Sequence, residues 1–573
     1  MRYFINILLI TCVMIFVLTT QSIAQKNTGN ETLRQLITMY HADNGNLQRF
    51  YTIEHSPERR ERFKTLAQSY LSQLQSIDFN SLDAGGRVDY LLIKRDFEDI
   101  LYQSQQEATA FNQLATWFPF AAVLYDAKKA RRRGLMPDSP KLANDLNQCV
   151  KEINVLQQKL KENTSLTKDL ANRGNRIALG LKSALNAVYS FYNGYDPLFT
   201  WWIAKPYEDL DNALKNYAAA FQQVVTVNTQ LKKDASGIVG NPIGETELIR
   251  KLKLEMIPYT PEELVEIANK EFAWCDAEML KASREMGFGD NWKAALEKVK
   301  QTAVPPGQQP AAMVKLYDES IAFLKEKNLL TIPPLAEETW RLSMMSPERQ
   351  LVNPFFLGGE EFIVSYPTNT MTHDQKMMSM RGNNPHFSRA TVHHELIAGH
   401  GLQEFMMSRY KTHRQFWTPF WIEGWALYWE MLLYDLKFPR SAEDRVGMLF
   451  WRMHRCARII FSLNYHTGKW SPQECIDFLV NRVGHEKANA EGEVRRSFEG
   501  GYDPLYQIAY MIGGLQIRAL KDELVGSKKM TYQEFHDKFI QENAMPIEMM
   551  RAILTKTSLP KDYQSSWRFY SIK

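Results

Sequence analysis

His393-His394-Glu395-Leu396-Ile397-Ala398-Gly399-His400-Gly401-Leu402-Gln403 is followed, after a connection, by Thr418-Pro419-Phe420-Trp421-Ile422-Glu423-Gly424-Trp425-Ala426-Leu427-Tyr428-Trp429-Glu430-Met431-Leu432-Leu433-Tyr434. The second stretch decides the fold class. Thr418-Pro419 is a capping residue with proline at the first helical position. The run after it is apolar on nearly every face, which predicts a helix buried inside a large helical protein. Trp421, Trp425 and Trp429 form a stripe at four-residue spacing, read most simply as core packing. Glu423 points roughly opposite Trp421 and Trp425, and Glu430 lies seven residues further along the line of Glu423. A carboxylate in such a setting is costly unless it is paired or bound to a metal.

The first stretch supplies the metal chemistry. It begins as His-Glu-x-x, like the helix of a zinc peptidase, where two histidines four apart hold the ion and the glutamate activates water. Here His400 comes six residues after His394. On a regular helix that is about 600° of rotation and about 9 Å of rise, so the two rings cannot share one ion. His393 and His400 share a face but stand about 10.5 Å apart along the axis. A shared ion requires a bulge, and Ala398-Gly399, with Gly401 following, is where such backbone is cheapest. Two imidazoles still need a third ligand beside an open position for water. Glu423 can supply it from the next helix. Glu430 then reads as a carboxylate orienting a ligand, or as the partner of one of the arginines between 440 and 458. A ferritin-like di-iron site would need Glu-x-x-His pairs, which the chain lacks.

Outward from this centre the chain reads as mainly α. Residues 56–110 and 140–235 carry long helical periodicities. Thr260-Pro261-Glu262-Glu263, Ser471-Pro472-Gln473-Glu474 and Thr531-Tyr532-Gln533-Glu534 are capping boxes. A small β element is expected near 355–366, inside the turn- and strand-rich stretch 353–369. The Pro-rich segments 304–310 and 333–334 mark the best boundary, giving an N-terminal helical region, 25–335, and a C-terminal catalytic region, 336–573, which share one body or form two. Ten of the twelve histidines follow it, starting at His373.

The N-terminus has the layout of a secretory signal peptide over 1–24: Arg2, an apolar run from Tyr3 to Leu18, then Ser22-Ile23-Ala24. The expectation is an exported protein, periplasmic or secreted, with no stable membrane insertion once the leader is removed. The 573 residues are 45% hydrophobic and 12% aromatic, which excludes a disordered chain. With 69 basic against 65 acidic residues there is no general attraction to nucleic acid. Five cysteines without a Cys-x-x-Cys pair give no disulfide scaffold.

With these segments in place, the sequence resembles the bacterial family named domain of unknown function 885, whose members look like gluzincin-type zinc metallopeptidases. The resemblance rests on His394-Glu395 with Gly399-His400 and Leu402-Gln403, on Glu423-Gly424-Trp425-Ala426-Leu427-Tyr428 with Glu430, and on Arg458 to Trp470. It continues through Glu493-Val494-Arg495-Arg496 and Pro504 to Gly513. It implies one zinc ion per chain and a helical body around a deep cleft. The chain departs from the family at Ala398, where proline is usual, and at Gly401, where a second histidine is usual.

The site expected from both readings has His394, His400 and Glu423 as zinc ligands, Glu395 as general base and Glu430 behind them. Tyr510 and His466 are candidates for stabilising the negative charge of a tetrahedral intermediate. Arg496 and Tyr506 are candidates for holding substrate, Arg496 by gripping a carboxylate. Each also has a plain alternative, a helix salt bridge for Arg496 and packing for the tyrosines. The strand near Glu360–Ile363 is a candidate edge for an extended peptide. The expected activity is hydrolysis of short peptides. A zinc-dependent esterase or amidase, and a peptide-binding protein with a degraded site, stay open beside it.

Overall fold

The computed structural model describes residues 29–162, 166–228, 234–350 and 355–572, so the expected leader lies outside the described residues. It is mainly α, as expected, with one two-stranded sheet. The chain divides into two compact units, Met1–Lys232 and Lys233–Lys573. This corrects the boundary expected near 335: the Pro-rich segments lie inside the second unit. Proline there starts helices rather than separating bodies, at Pro310 near the start of Gln309–Glu326 and at Pro334.

The first unit is built from α1 (29–50), α2 (Pro57–Gln75), α3 (Ala84–Leu114), α4 (Ala121–Arg132), α5 (Ser139–Lys161), α6 (Lys168–Tyr192) and α7 (Pro197–Asn228). The periodicity of 56–110 is interrupted at 76–83, where the side chains of Asp78 and Asp83 cap new helical turns. Helices α5, α6 and α7 enclose an aromatic core in which Phe118 stacks on Phe221 at 5.6 Å between ring centroids.

In the second unit the helices that build the site are α8 (Pro261–Glu285), α9 (Gln309–Glu326), α10 (Pro385–Glu395), α11 (His400–Met407), α12 (Pro419–Asp435), α13 (Ala442–His466), α14 (Lys487–Glu499), α15 (Tyr506–Lys521) and α16 (Tyr532–Gln541). Helix α12 is buried along almost its whole length, as its all-apolar surface requires. Its tryptophan stripe packs on α16: Trp425 stacks on Phe539 at 5.1 Å and Trp429 meets His536 at 4.5 Å. The opposite face crosses α15 at Gly424 and Gly513. A Cβ on either would lie within 3 Å of the other's backbone, so only glycine permits this approach. The crossing sets Glu423 beside Tyr506 and Tyr510.

The three expected capping boxes are formed at Thr260, Ser471 and Thr531. The β element is smaller than its sequence signal. Strand β2 (Glu361–Val364) lies within the expected segment, but its parallel partner β1 (Arg341–Met344) lies outside it. A bridge from Leu357 to Ile363 folds the chain back on the other edge of β2. Among the described residues no helix is long and apolar enough to cross a membrane, and Cys149, Cys275, Cys456 and Cys475 are free and buried.

Candidate metal centre

Helix α10 ends at Glu395 and α11 begins at His400, so the lengthened His-Glu spacing is accommodated by a break rather than by one continuous helix. Leu396 and Gly399 leave helical backbone angles, and the Ile397–Ala398 peptide is cis. The break is stitched to its surroundings. The Gly399 amide donates to the His393 carbonyl (2.9 Å), and the indole N–H of Trp425 donates to the Ala398 carbonyl (2.7 Å). A Cβ on Gly399 would fall on the His394 carbonyl, so this turn needs glycine. Trp425, read as packing, therefore also holds the loop that aligns the two histidines.

The break turns His394 and His400 toward each other, their ring centroids 4.9 Å apart and nearly perpendicular. One nitrogen of each ring and one oxygen of Glu423 lie within 4.8 Å of one another. Glu423 Oε2 faces both Nε2 atoms, at 3.6 Å from His394 and 3.3 Å from His400. The other nitrogen of each ring is held from behind. His394 Nδ1 donates to Glu430 Oε1 (2.6 Å), and His400 Nδ1 to Gln403 Oε1 (3.0 Å). Gln403 in turn donates to the Trp421 carbonyl (3.1 Å), tying α11 to α12. In the neutral rings both hydrogen bonds place the proton on Nδ1 and leave Nε2 with the lone pair that a metal ion would take. His393 goes elsewhere, fully buried with its ring edge-on to Phe438.

The electrostatics follow from burial and proximity. Burial disfavours a charged His400, but Glu423 outweighs it and raises the imidazole to about 9. Burial likewise works against the Glu423 carboxylate, while His400 and His394 hold it well below the usual range. Glu395 is raised above the ordinary carboxylate range, because burial exceeds the pull of His394 and His400. Glu423 Oε2 is buried and makes no hydrogen bond, although two ring nitrogens face it. A divalent cation fits that arrangement, and two imidazoles with one carboxylate are a zinc donor set.

The cluster lines a cavity of about 300 Å³. Glu395 lines it too, under the segment Phe356–Gly359. A Cβ on Gly358 would lie 2.5 Å from Glu395 Oε2, and the Gly359 amide donates to the Glu395 carbonyl (3.2 Å). On another wall stand Tyr502, Tyr506 and Tyr510 with Arg455, Arg458 and Arg496. The Tyr506 hydroxyl donates to Glu423 Oε1, and the Tyr510 hydroxyl donates to Tyr506 (3.3 Å). The Tyr510 ring stacks on His394 at 6.1 Å, and burial pushes its phenol up to about 12.

The structure thus brings His394, Glu395, His400, Glu423, Arg496, Tyr506 and Tyr510 to one cavity, with Glu430 behind His394. Glu430 serves both roles open to it, since Arg455 also donates to its Oε1 (3.3 Å). Arg496 keeps its helical pairing with Glu493 (3.6 Å) while lining the cavity. His466 is a correction. It sits at the C-terminal end of α13, eleven residues beyond Arg455, or about 16 Å along the axis. It does not line the cavity, and burial lowers its imidazole to about 4. The partner of the Tyr510 phenol is Tyr506. Beyond the expected site residues, the cavity takes in Arg455 and Arg458, and Gln403 stands behind His400. Gln403 had a signal, its place three residues after His400 on the same helix. Arg455 and Arg458 fall among the arginines expected to partner Glu430, but no periodicity marks either as facing a cavity, because α13 is buried on nearly all sides.

The family model described as "Bacterial protein of unknown function (DUF885)" matches residues 48–554. No curated protein matches the chain. Among solved structures, it is similar to one described as "a putative lipoprotein of unknown function from Shewanella oneidensis", at 16% identity and a TM-score of 0.67, covering 91% of this chain and 99% of the other. It is also similar to "the putative lipoprotein from Colwellia psychrerythraea", at 14% identity and a TM-score of 0.56, covering 92% and 99%. At these identities the likeness is one of fold.

Proposed function

This chain belongs to the bacterial family of unknown function DUF885, and from that premise we propose that it is an exported zinc-dependent hydrolase that cleaves peptide bonds in short peptides. The observation that carries the reading is the convergence of Nε2 of His394, Nε2 of His400 and Oε2 of Glu423, with Glu395 on the same cavity. Zinc held by such a set acts as a Lewis acid and lowers the pKa of water. Glu430 and Gln403 fix the ring tautomers that binding requires. Glu395, its pKa raised by burial, is suited to take a proton from water and pass it to the leaving amine. Tyr510 and Tyr506 line the same cavity, and either hydroxyl, turned from its present acceptor, would donate to the developing oxyanion. The leader-like N-terminus and the lipoprotein descriptions of both similar structures support export.

The test is a peptide-library digest by the purified zinc-loaded protein, read by mass spectrometry beside Glu395→Gln. Cleavage by the wild type, reduced at least about 100-fold in the variant, supports the reading. Turnover of esters or small amides without peptide cleavage would move the assignment to an esterase or amidase. Metal binding without turnover of any substrate would leave a binding protein.

A further inference from the structure

The cavity is lined by three arginines of the second unit that the proposed chemistry does not use. They are Arg455, Arg458 and Arg496, with Arg455 4% and Arg458 2% exposed. Two buried carboxylates, Glu430 and Glu493, pair directly with these guanidiniums. Glu493 accepts from Arg458 (2.8 Å) and pairs with Arg496 (3.6 Å), and Glu430 accepts from Arg455 but is shared with His394. Arg458 and Arg496 thus share Glu493, and Arg455 shares Glu430 with His394. Nη1 of Arg458 is buried and makes no hydrogen bond. Arginine presents a planar fork of donors that matches a carboxylate, and a buried guanidinium facing a cavity favours an anionic ligand.

The position of these arginines relative to the proposed metal ligands selects the ligand. The Tyr510 ring lies against both. It stacks on His394, while the guanidinium carbons of Arg455 and Arg458 lie 4.5 Å and 4.3 Å from its centroid. An anion held by Arg458 would thus sit near the aromatic ring that also stacks on His394. A chain terminus brings a full negative charge to this buried fork of donors, which the neutral amide of a continuing chain does not.

We propose that Arg458, with Arg455 and Arg496, receives the C-terminal carboxylate of a peptide substrate, so that the enzyme trims peptides from that end. The inference rests on the peptidase reading above. In the step itself water adds across one peptide bond near the terminus. Its oxygen goes to the carbonyl carbon and one proton, through Glu395, to the departing nitrogen. The terminal carboxylate keeps its charge throughout.

Calorimetric titration tests it. Tetra-alanine free acid, tetra-alanine amide, and a tetrapeptide amide with an internal glutamate are titrated into zinc-loaded Glu395→Gln protein and into zinc-free wild type. The free acid should bind at least 10-fold more tightly than the plain amide, and Arg458→Lys should remove most of that preference. Equal affinities, or no measurable binding of either, overturn the proposal. An internal-glutamate amide that matches the free acid overturns the terminal assignment. The wild-type comparison decides even where the arginine variant fails to fold. Zinc content measured in parallel separates the two failures. Protein that takes up no zinc defeats the peptidase reading, while the acid-to-amide ratio still reports on the arginines.

Discussion

Glu430→Gln isolates the carboxylate behind the proposed metal ligands. In the native site Glu430 Oε1 accepts from His394 Nδ1 (2.6 Å) and from Arg455 (3.3 Å), and both partners are buried. Glutamine keeps the shape and removes the charge. For the metal, loss of an outer carboxylate costs roughly 10- to 100-fold in affinity, or about 1.4–2.8 kcal/mol. For the fold, the Arg455–Glu430 attraction at an effective dielectric near 20 is about 5 kcal/mol, and breaking such a buried pair costs roughly 3–5 kcal/mol. The variant should therefore show weaker zinc binding in competition with a chromogenic chelator and a lower denaturation midpoint in urea. A folded variant with wild-type zinc affinity would refute the claim that Glu430 orients His394.

Four further outcomes are expected. Tyr510→Phe should lower kcat by roughly 10- to 1000-fold on any cleaved peptide with little change in KM, as for one lost oxyanion donor; unaltered kinetics return Tyr510 to packing against His394. Gly358→Val places atoms against the Glu395 carboxylate, so turnover should fall at least about 10-fold while zinc content stays at one per chain, and an active variant would show that Glu395 is not the base. Gly424→Ala should destabilise by about 1–3 kcal/mol through its clash with Gly513, measured by denaturant unfolding, whereas a neutral effect would mean that α12 and α15 can move apart freely. Burial holds His485 and His536 neutral, both down to about 3, while the unfolded chain protonates near 6.5. The native state binds fewer protons in that window, so stability is full above about pH 6.5 and is lost as pH falls, by about 1 kcal/mol per histidine between 6.5 and 5.5. The thermal midpoint should drop across that interval, and a flat profile would contradict the burial of these rings.

The parts of the site that were legible from sequence were those with a local physical signature. Helix α12 was readable because Thr418-Pro419 caps it and no face of it is polar enough for water. The convergence of His394, His400 and Glu423 was readable because a buried Glu423 must find a cationic partner and because a shared site needs a bulge at glycine. The packing of α13 was not readable. With its residues buried on all sides, nothing in the periodicity tells which arginine meets the cavity, and His466 was placed in the site although the length of the helix carries it away. Strand β1 escaped because four residues, Arg341–Met344, carry too little pattern and pair with a strand about twenty residues later. Prolines at 305–306, 310 and 333–334 read as a linker, but all lie within one unit, where Pro310 and Pro334 stand in the first turns of helices. The role of Gln403 depends on a carbonyl of α12, a tertiary contact that no spacing rule contains.

The most direct test of the central claim is zinc-edge X-ray absorption on the purified protein loaded with one equivalent of zinc. The account predicts a low-coordinate shell of nitrogen and oxygen only, at about 2.0–2.2 Å, with the outer-ring scattering of two imidazoles. That signature should be lost in both His400→Ala and Glu423→Ala. Sulfur at about 2.3 Å, a six-oxygen shell, or an unchanged spectrum in either variant would contradict it.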